Sequence, residues 1–86
     1  MIGLSTIDRP APHGGEMHPD ADEVLILVSG RIDVVIEADG AEHVHELTAG
    51  QGIVVPKGLW HRVIPKERSS RLHVTPGPGG EWRPPR

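Results

Sequence analysis

Glu16, His18, Glu23 and His61 have the residue types and spacing to hold a metal ion. Glu16 and His18 are two apart, so on a strand they share a face. Pro19-Asp20-Ala21-Asp22 follows and reads as a four-residue turn. If that turn closes a hairpin, His18 lies opposite Glu23, and directly opposed side chains sit close enough to share one ion. One hairpin cannot surround a cation, so a further ligand must come from a distant segment. His61 is the candidate, because Pro56-Lys57-Gly58 reverses the chain just before it. Imidazole and carboxylate donors together suit Mn, Fe, Zn or Ni rather than Mg or Ca. Three or four protein ligands leave room for water or substrate.

The elements that must position these residues read as strands. Eleven glycines and nine prolines in 86 residues interrupt the chain too often for long helices. No window carries apolar residues at helical spacing, whereas short β-branched runs lie between turn signals. Strands are expected at Ile2–Ile7, Val24–Ser29, Arg31–Ala38, Glu42–Thr48, Ile53–Val55, His61–Ile64 and Leu72–Thr75. Ser29-Gly30 and Asp39-Gly40 fit tight hairpin turns. This spacing points to an all-β sandwich or barrel. The run VLILV is apolar on both faces, so a second sheet on one side and a partner subunit on the other are expected to cover it. A homodimer follows from that expectation. The Pro/Gly-rich stretches Arg9–Gly15 and Gly77–Arg86 are expected to be irregular.

Composition narrows the function classes. The chain is one small domain's length, and such domains often lean on a metal or a partner. With no cysteine, disulfides and thiolate metal sites are excluded. The net charge of -3 has no block of like charges, which argues against nucleic acid. The N-terminus lacks a signal-peptide pattern, and no apolar run approaches membrane-spanning length. The expected location is the cytoplasm, away from membranes. Without Phe or Tyr, a pocket wall must be aliphatic. That favours a small polar or carbonyl-bearing molecule over a flat aromatic one.

These residues also match a known pattern. The chain resembles the cupin superfamily, whose first motif is G(X)5HXH(X)3-4E(X)6G and whose second is G(X)5PXG(X)2H(X)3N. His18, four residues, Glu23, six residues and Gly30 fit the later part of the first motif. Gly50, five residues, Pro56-Lys57-Gly58, two residues and His61 fit the second through its histidine. The resemblance covers roughly residues 15–64 and looks like the minimal single-domain type. It implies a small antiparallel jelly-roll β-barrel, with a core at about residues 15–76 of a single domain spanning 1–86. It also implies a divalent metal held inside by Glu16, His18, Glu23 and His61. Two positions depart from the pattern. Glu16 replaces the first histidine, so it is either a second carboxylate ligand or swings out and leaves a weak site. Pro65 replaces the final asparagine and looks structural, as the end of a strand.

Other polar residues carry plainer readings. Asp20 and Asp22 are turn residues, with a smaller share for Asp22 orienting a ligand. His43 and His45 form a second His-x-His with no matching carboxylate turn, so packing or solvation is favoured. His13 is expected to be exposed. His73 either lines the barrel mouth, where it would handle protons, or is a satisfied strand residue. Trp60 faces away from His61 and reads as core or interface packing. Arg31 and Arg62 read as solvated, with a rim contact to an anion as the sharper option.

Two functions follow. One is a metal-dependent enzyme of oxygenase or isomerase type, acting on a small ligand through the ion's open position. The other is a binding module that holds a metal or small ligand without turnover.

Overall fold

The computed structural model describes residues 1–11, 14–75 and 80–84. The regular elements among them are all strands: β1 (Ile2–Ile7), β2 (Glu16–Met17), β3 (Glu23–Ser29), β4 (Arg31–Ala38), β5 (Ala41–Thr48), β6 (Gly52–Val55), β7 (His61–Pro65), β8 (Ser69–Val74) and β9 (Glu81–Trp82). They form two antiparallel sheets, ordered β1-β8-β3-β6 and β5-β4-β7-β2-β9. The all-β jelly-roll expectation holds. No ladder joins the two sheets among the described residues, so the barrel is open along its seams.

Apolar alternation on the central strands builds the core. Leu25 and Leu27 of β3 face Ile32, Val34 and Ile36 of β4, and Leu47 and Val55 complete the cluster. All seven are almost wholly withdrawn from water. Burial of this kind contributes about 1.5–3 kcal/mol per large aliphatic side chain.

Of the two expected hairpin turns one holds and one is corrected. Asp39 and Gly40 both adopt positive φ, and they close the β4–β5 hairpin with Ala38 paired to Ala41. Ser29-Gly30 makes no hairpin, because β3 and β4 lie in different sheets. Gly30 is instead a corner, with φ of 90°. A Cβ there would fall 2.7 Å from the Arg68 carbonyl oxygen, so only glycine fits. Buried Ser69 fastens this corner, accepting the Arg31 N–H at 3.1 Å and donating to the Glu67 carbonyl at 2.8 Å. β8 starts three residues earlier than expected, at Ser69. The C-terminal end is less irregular than expected, because Glu81–Trp82 forms a short strand paired with Glu16–Met17, whereas the described residues of Arg9–Gly15 carry no strand. His13, residues 77–79 and Arg86 lie outside the described residues.

β1 and β8 invert the usual alternation. Gly3, Ser5, Arg71 and His73 pair laterally with buried Leu25 and Leu27, so they face the other sheet. Ile2, Leu4 and Val74 point outward and are exposed, as are Ile26, Val28 and Val54 on the neighbouring strands. This outer face carries no charged residue.

Candidate metal centre

Glu16, His18, Glu23 and His61 come together between the sheets. Each offers one ligand atom, and the four atoms all lie within 4.8 Å of one another. The route to this cluster differs from a hairpin. β2 pairs with β7 and β9, while β3 pairs with β6 and β8. The Pro19–Asp22 segment therefore carries the chain across from one sheet to the other. His18 and Glu23 meet across the sandwich instead of along a ladder.

Backbone register brings Glu16 and His61 to the same place, since the two are direct partners in the β2–β7 ladder. Two hydrogen bonds fix the turn that delivers His61. The Gly58 N–H donates to the His18 carbonyl at 2.8 Å, and the Lys57 N–H donates to Asp22 Oδ1 at 2.9 Å. Asp22 is thus the anchor of the Pro-Lys-Gly turn. It ties the two segments carrying the cluster to each other.

The interior geometry is tight. His61 Nε2 lies 2.9 Å from Glu23 Oε1, and His18 Nε2 lies 3.3 Å from Glu23 Oε2. His18 Nε2 is 3.9 Å from Glu16 Oε2. The two imidazole centroids are 5.8 Å apart. His18, Glu23 and His61 are buried, whereas the Glu16 side chain is 39% exposed. Glu16 therefore stands at the mouth and the other three at the back.

Glu23 is the electrostatic centre. Burial alone would raise its carboxyl, but the hydrogen bond and charge of His61, the Thr75 hydroxyl and the charge of His18 together hold it below its ordinary value. Thr75 Oγ1 donates to Glu23 Oε2 at 3.0 Å, and His73 Nδ1 lies 2.7 Å from the same hydroxyl. The single hydroxyl proton goes to the carboxylate, so His73 Nδ1 must donate to Thr75. In a neutral His73 ring, Nε2 is then the proton acceptor. His73 thus connects to the cluster through Thr75, which the sequence reading did not single out.

The donor set fits a divalent cation. His18 Nδ1, His18 Nε2 and His61 Nδ1 are buried with no hydrogen-bond partner among the described residues. A buried polar atom without a partner is costly, and one aimed at two carboxylates is satisfied by a cation between them. Two imidazoles and two carboxylates suit a borderline transition metal.

The remaining sequence candidates fall elsewhere. His43 and His45 share the core-side face of β5 with Leu47, yet both are exposed, and His43 Nε2 lies 3.2 Å from the Ala38 carbonyl oxygen. Trp60 packs within its own chain, with the Arg83 guanidinium 4.6 Å from its ring centroid. Arg31 pairs with Glu67 at 3.1 Å and Arg62 with Glu42 at 2.6 Å. A cavity of about 100 Å³ adjoins the cluster, lined in part by Ile7, Glu16, His61, Val63 and Arg71. Arg71 was missed in the sequence, because a polar residue in an alternating strand ordinarily reads as the solvent side.

The fold and site define a β-sandwich built around an internal His/Glu cluster. A family model described as "Cupin domain" matches residues 7–76, and the chain belongs to that family. It is 30% identical over 59 residues to the uncharacterized protein L612 of Acanthamoeba polyphaga mimivirus, spanning 69% of this chain and 36% of that one. This chain therefore corresponds to about a third of that relative. Among solved structures, a cupin-2 domain containing protein from Shewanella frigidimarina is similar at a TM-score of 0.72 and 24% identity, covering 95% of this chain and 69% of that one. Oxalate oxidase in complex with the substrate analogue glycolate is similar at 0.78 and 19%, covering 94% and 44%. Drosophila melanogaster CENP-C bound to CAL1 is similar at 0.76 and 17%, covering 86% and 63%. At these identities the structural likenesses establish the fold alone. Among the described residues no helix is long and apolar enough to cross a membrane.

Proposed function

We propose that this cupin domain is a divalent-metal-dependent enzyme acting on a small polar or carbonyl-bearing molecule, by oxygenase or isomerase chemistry. Glu16, His18, Glu23 and His61 hold the ion. The observation that carries this reading is the convergence of their four ligand atoms within 4.8 Å, with His18 Nε2 buried beside two carboxylates and without a hydrogen-bond partner.

When bound, the ion polarises a substrate oxygen at its open position. The chain's own residues do the rest. Thr75 holds Glu23 in place by donating to its Oε2. Glu16, the exposed carboxylate at the cavity, is placed to move a proton. Aliphatic Ile7 and Val63 limit water at the cavity wall.

The alternative is a module that binds an ion or small ligand without turnover. One observation favours it: two carboxylates lie in the set, and they would neutralise a divalent charge and lower its Lewis acidity. The functional unit in either reading is a homodimer joined through the uncharged outer face of β1, β8, β3 and β6, with Ile26 at its centre and Ile2, Leu4 and Val28 around it.

Metal analysis of protein purified without an affinity tag tests the proposal. One divalent ion per chain, sharply reduced in His61→Ala, is the expected result. Equal metal content in both proteins removes His61 from the site. Oxygen uptake or product formation across a panel of small carbonyl compounds separates the enzyme from the module.

A further inference from the structure

The cavity beside the cluster has a charged wall that the metal reading leaves unused. Arg71 lies on the inward row Ser5–Arg71–Leu27, next to a fully buried leucine. A strand position there normally carries an aliphatic side chain. Its Nε lies 3.4 Å from Ser5 Oγ. Among the described residues no carboxylate pairs with it. Arg9 and Arg62 line the same cavity, but each has a carboxylate partner, Asp8 and Glu42 respectively. Arg31 and Arg83 are likewise paired, with Glu67 and Glu37, and Arg68 is exposed to solvent.

A half-buried guanidinium facing a cavity has lost part of its hydration without gaining a counter-charge. Its fork of donors matches a carboxylate in two parallel hydrogen bonds. Glu16 and His61 form the opposite side of the same cavity. A ligand carrying one negative charge is therefore oriented: its anionic end is drawn to Arg71 and repelled by Glu16. Its neutral oxygen is left facing the cluster. The volume of about 100 Å³ admits only a small molecule, of roughly two to four carbons.

The geometry points to Arg71 as the anion-binding residue of a subsite for small monocarboxylates with a hydroxyl or carbonyl oxygen beside the carboxylate. This rests on the metal reading for the second contact but not for the first. It assigns the substrate class that the cluster alone leaves open.

Glycolate and its neutral counterpart glycolamide are the probes, titrated calorimetrically into wild type, Arg71→Gln and Arg71→Lys, each assayed for metal content. The expected result is glycolate binding by the wild type, weakened on the order of 10- to 100-fold in Arg71→Gln and less in Arg71→Lys. Glycolamide binding is weak and the same in all three, and metal content is unchanged. Equal glycolate affinity in wild type and Arg71→Gln overturns the subsite, as does a wild type that ignores glycolate. Arg71-dependent glycolate binding by a protein that holds no metal upholds the subsite and removes the metal reading instead. Should Arg71→Gln fail to fold by circular dichroism, the Arg71 Nε–H resonance of the wild type decides. A saturable shift with glycolate and none with glycolamide supports the subsite, and no shift overturns it.

Discussion

His61 Nε2 lies 2.9 Å from Glu23 Oε1 in the interior, although 38 residues separate the two in the chain. The contact closes the site and joins the sheets. Replacing His61 with alanine leaves a carboxylate that is 5% exposed without its main partner. His61→Ala is expected to lose about 3 kcal/mol of stability, the cost of stranding one member of a buried pair. Urea unfolding measures this, and a loss within error of zero refutes the role of the pair.

The depressed carboxyl of Glu23 sets an acid limit. Its folded value lies below the ordinary 4.5, so the unfolded chain binds the proton more readily. The stability it contributes is present above about pH 4.5 and is lost as pH falls through the lower folded value. In chelator-treated protein the urea midpoint should fall in that window. Glu23→Gln should flatten this part of the profile. An unchanged acid slope in the variant contradicts the assignment.

Thr75 holds the second oxygen of Glu23 and in turn accepts from His73. Removing a partner behind a ligand typically weakens metal binding by roughly 10- to 100-fold. Thr75→Val should do so with the fold intact. Competition against a chromophoric chelator measures it. Wild-type affinity in the variant shows that the hydroxyl does not position Glu23.

Gly30 turns the chain from one sheet to the other at φ 90°, with Ser69 and the Arg68 carbonyl where a side chain would be. Gly40 also has positive φ, yet nothing lies within 4 Å of its missing Cβ. Gly30→Ala should therefore cost clearly more than Gly40→Ala, whose penalty is about 1–2 kcal/mol for backbone conformation alone. Thermal melts of the two variants compare them, and equal melting temperatures argue that the corner can relax.

The outer face of β1, β8, β3 and β6 is mostly apolar and carries no charge, with Thr6 and Ser70 as its hydroxyl pair. A homodimer through this face predicts a sedimentation mass of two chains. Ile26→Glu, in the middle of the face, should shift it to one. A wild type that sediments as a monomer refutes the dimer.

The sequence by itself determined where most strands run, because β-branched runs between Gly and Pro leave few other conformations. Local backbone preference also determined the Asp39-Gly40 hairpin, and motif spacing marked His18, Glu23 and His61 as one set. Tertiary structure decided how they meet. The Pro19–Asp22 segment crosses between sheets, because β2 finds its partner in β7 and not in β3. It also decided which face of β1 and β8 is inside. Alternation with period two defines two faces, but nothing in the pattern says which one meets the other sheet. On SSRLHV Ser69, Arg71 and His73 turned inward, which put Arg71 at the cavity and His73 against Thr75, and left Leu4 and Val74 facing out. A strand's inside is set by what packs against it, and that packing belongs to the whole fold.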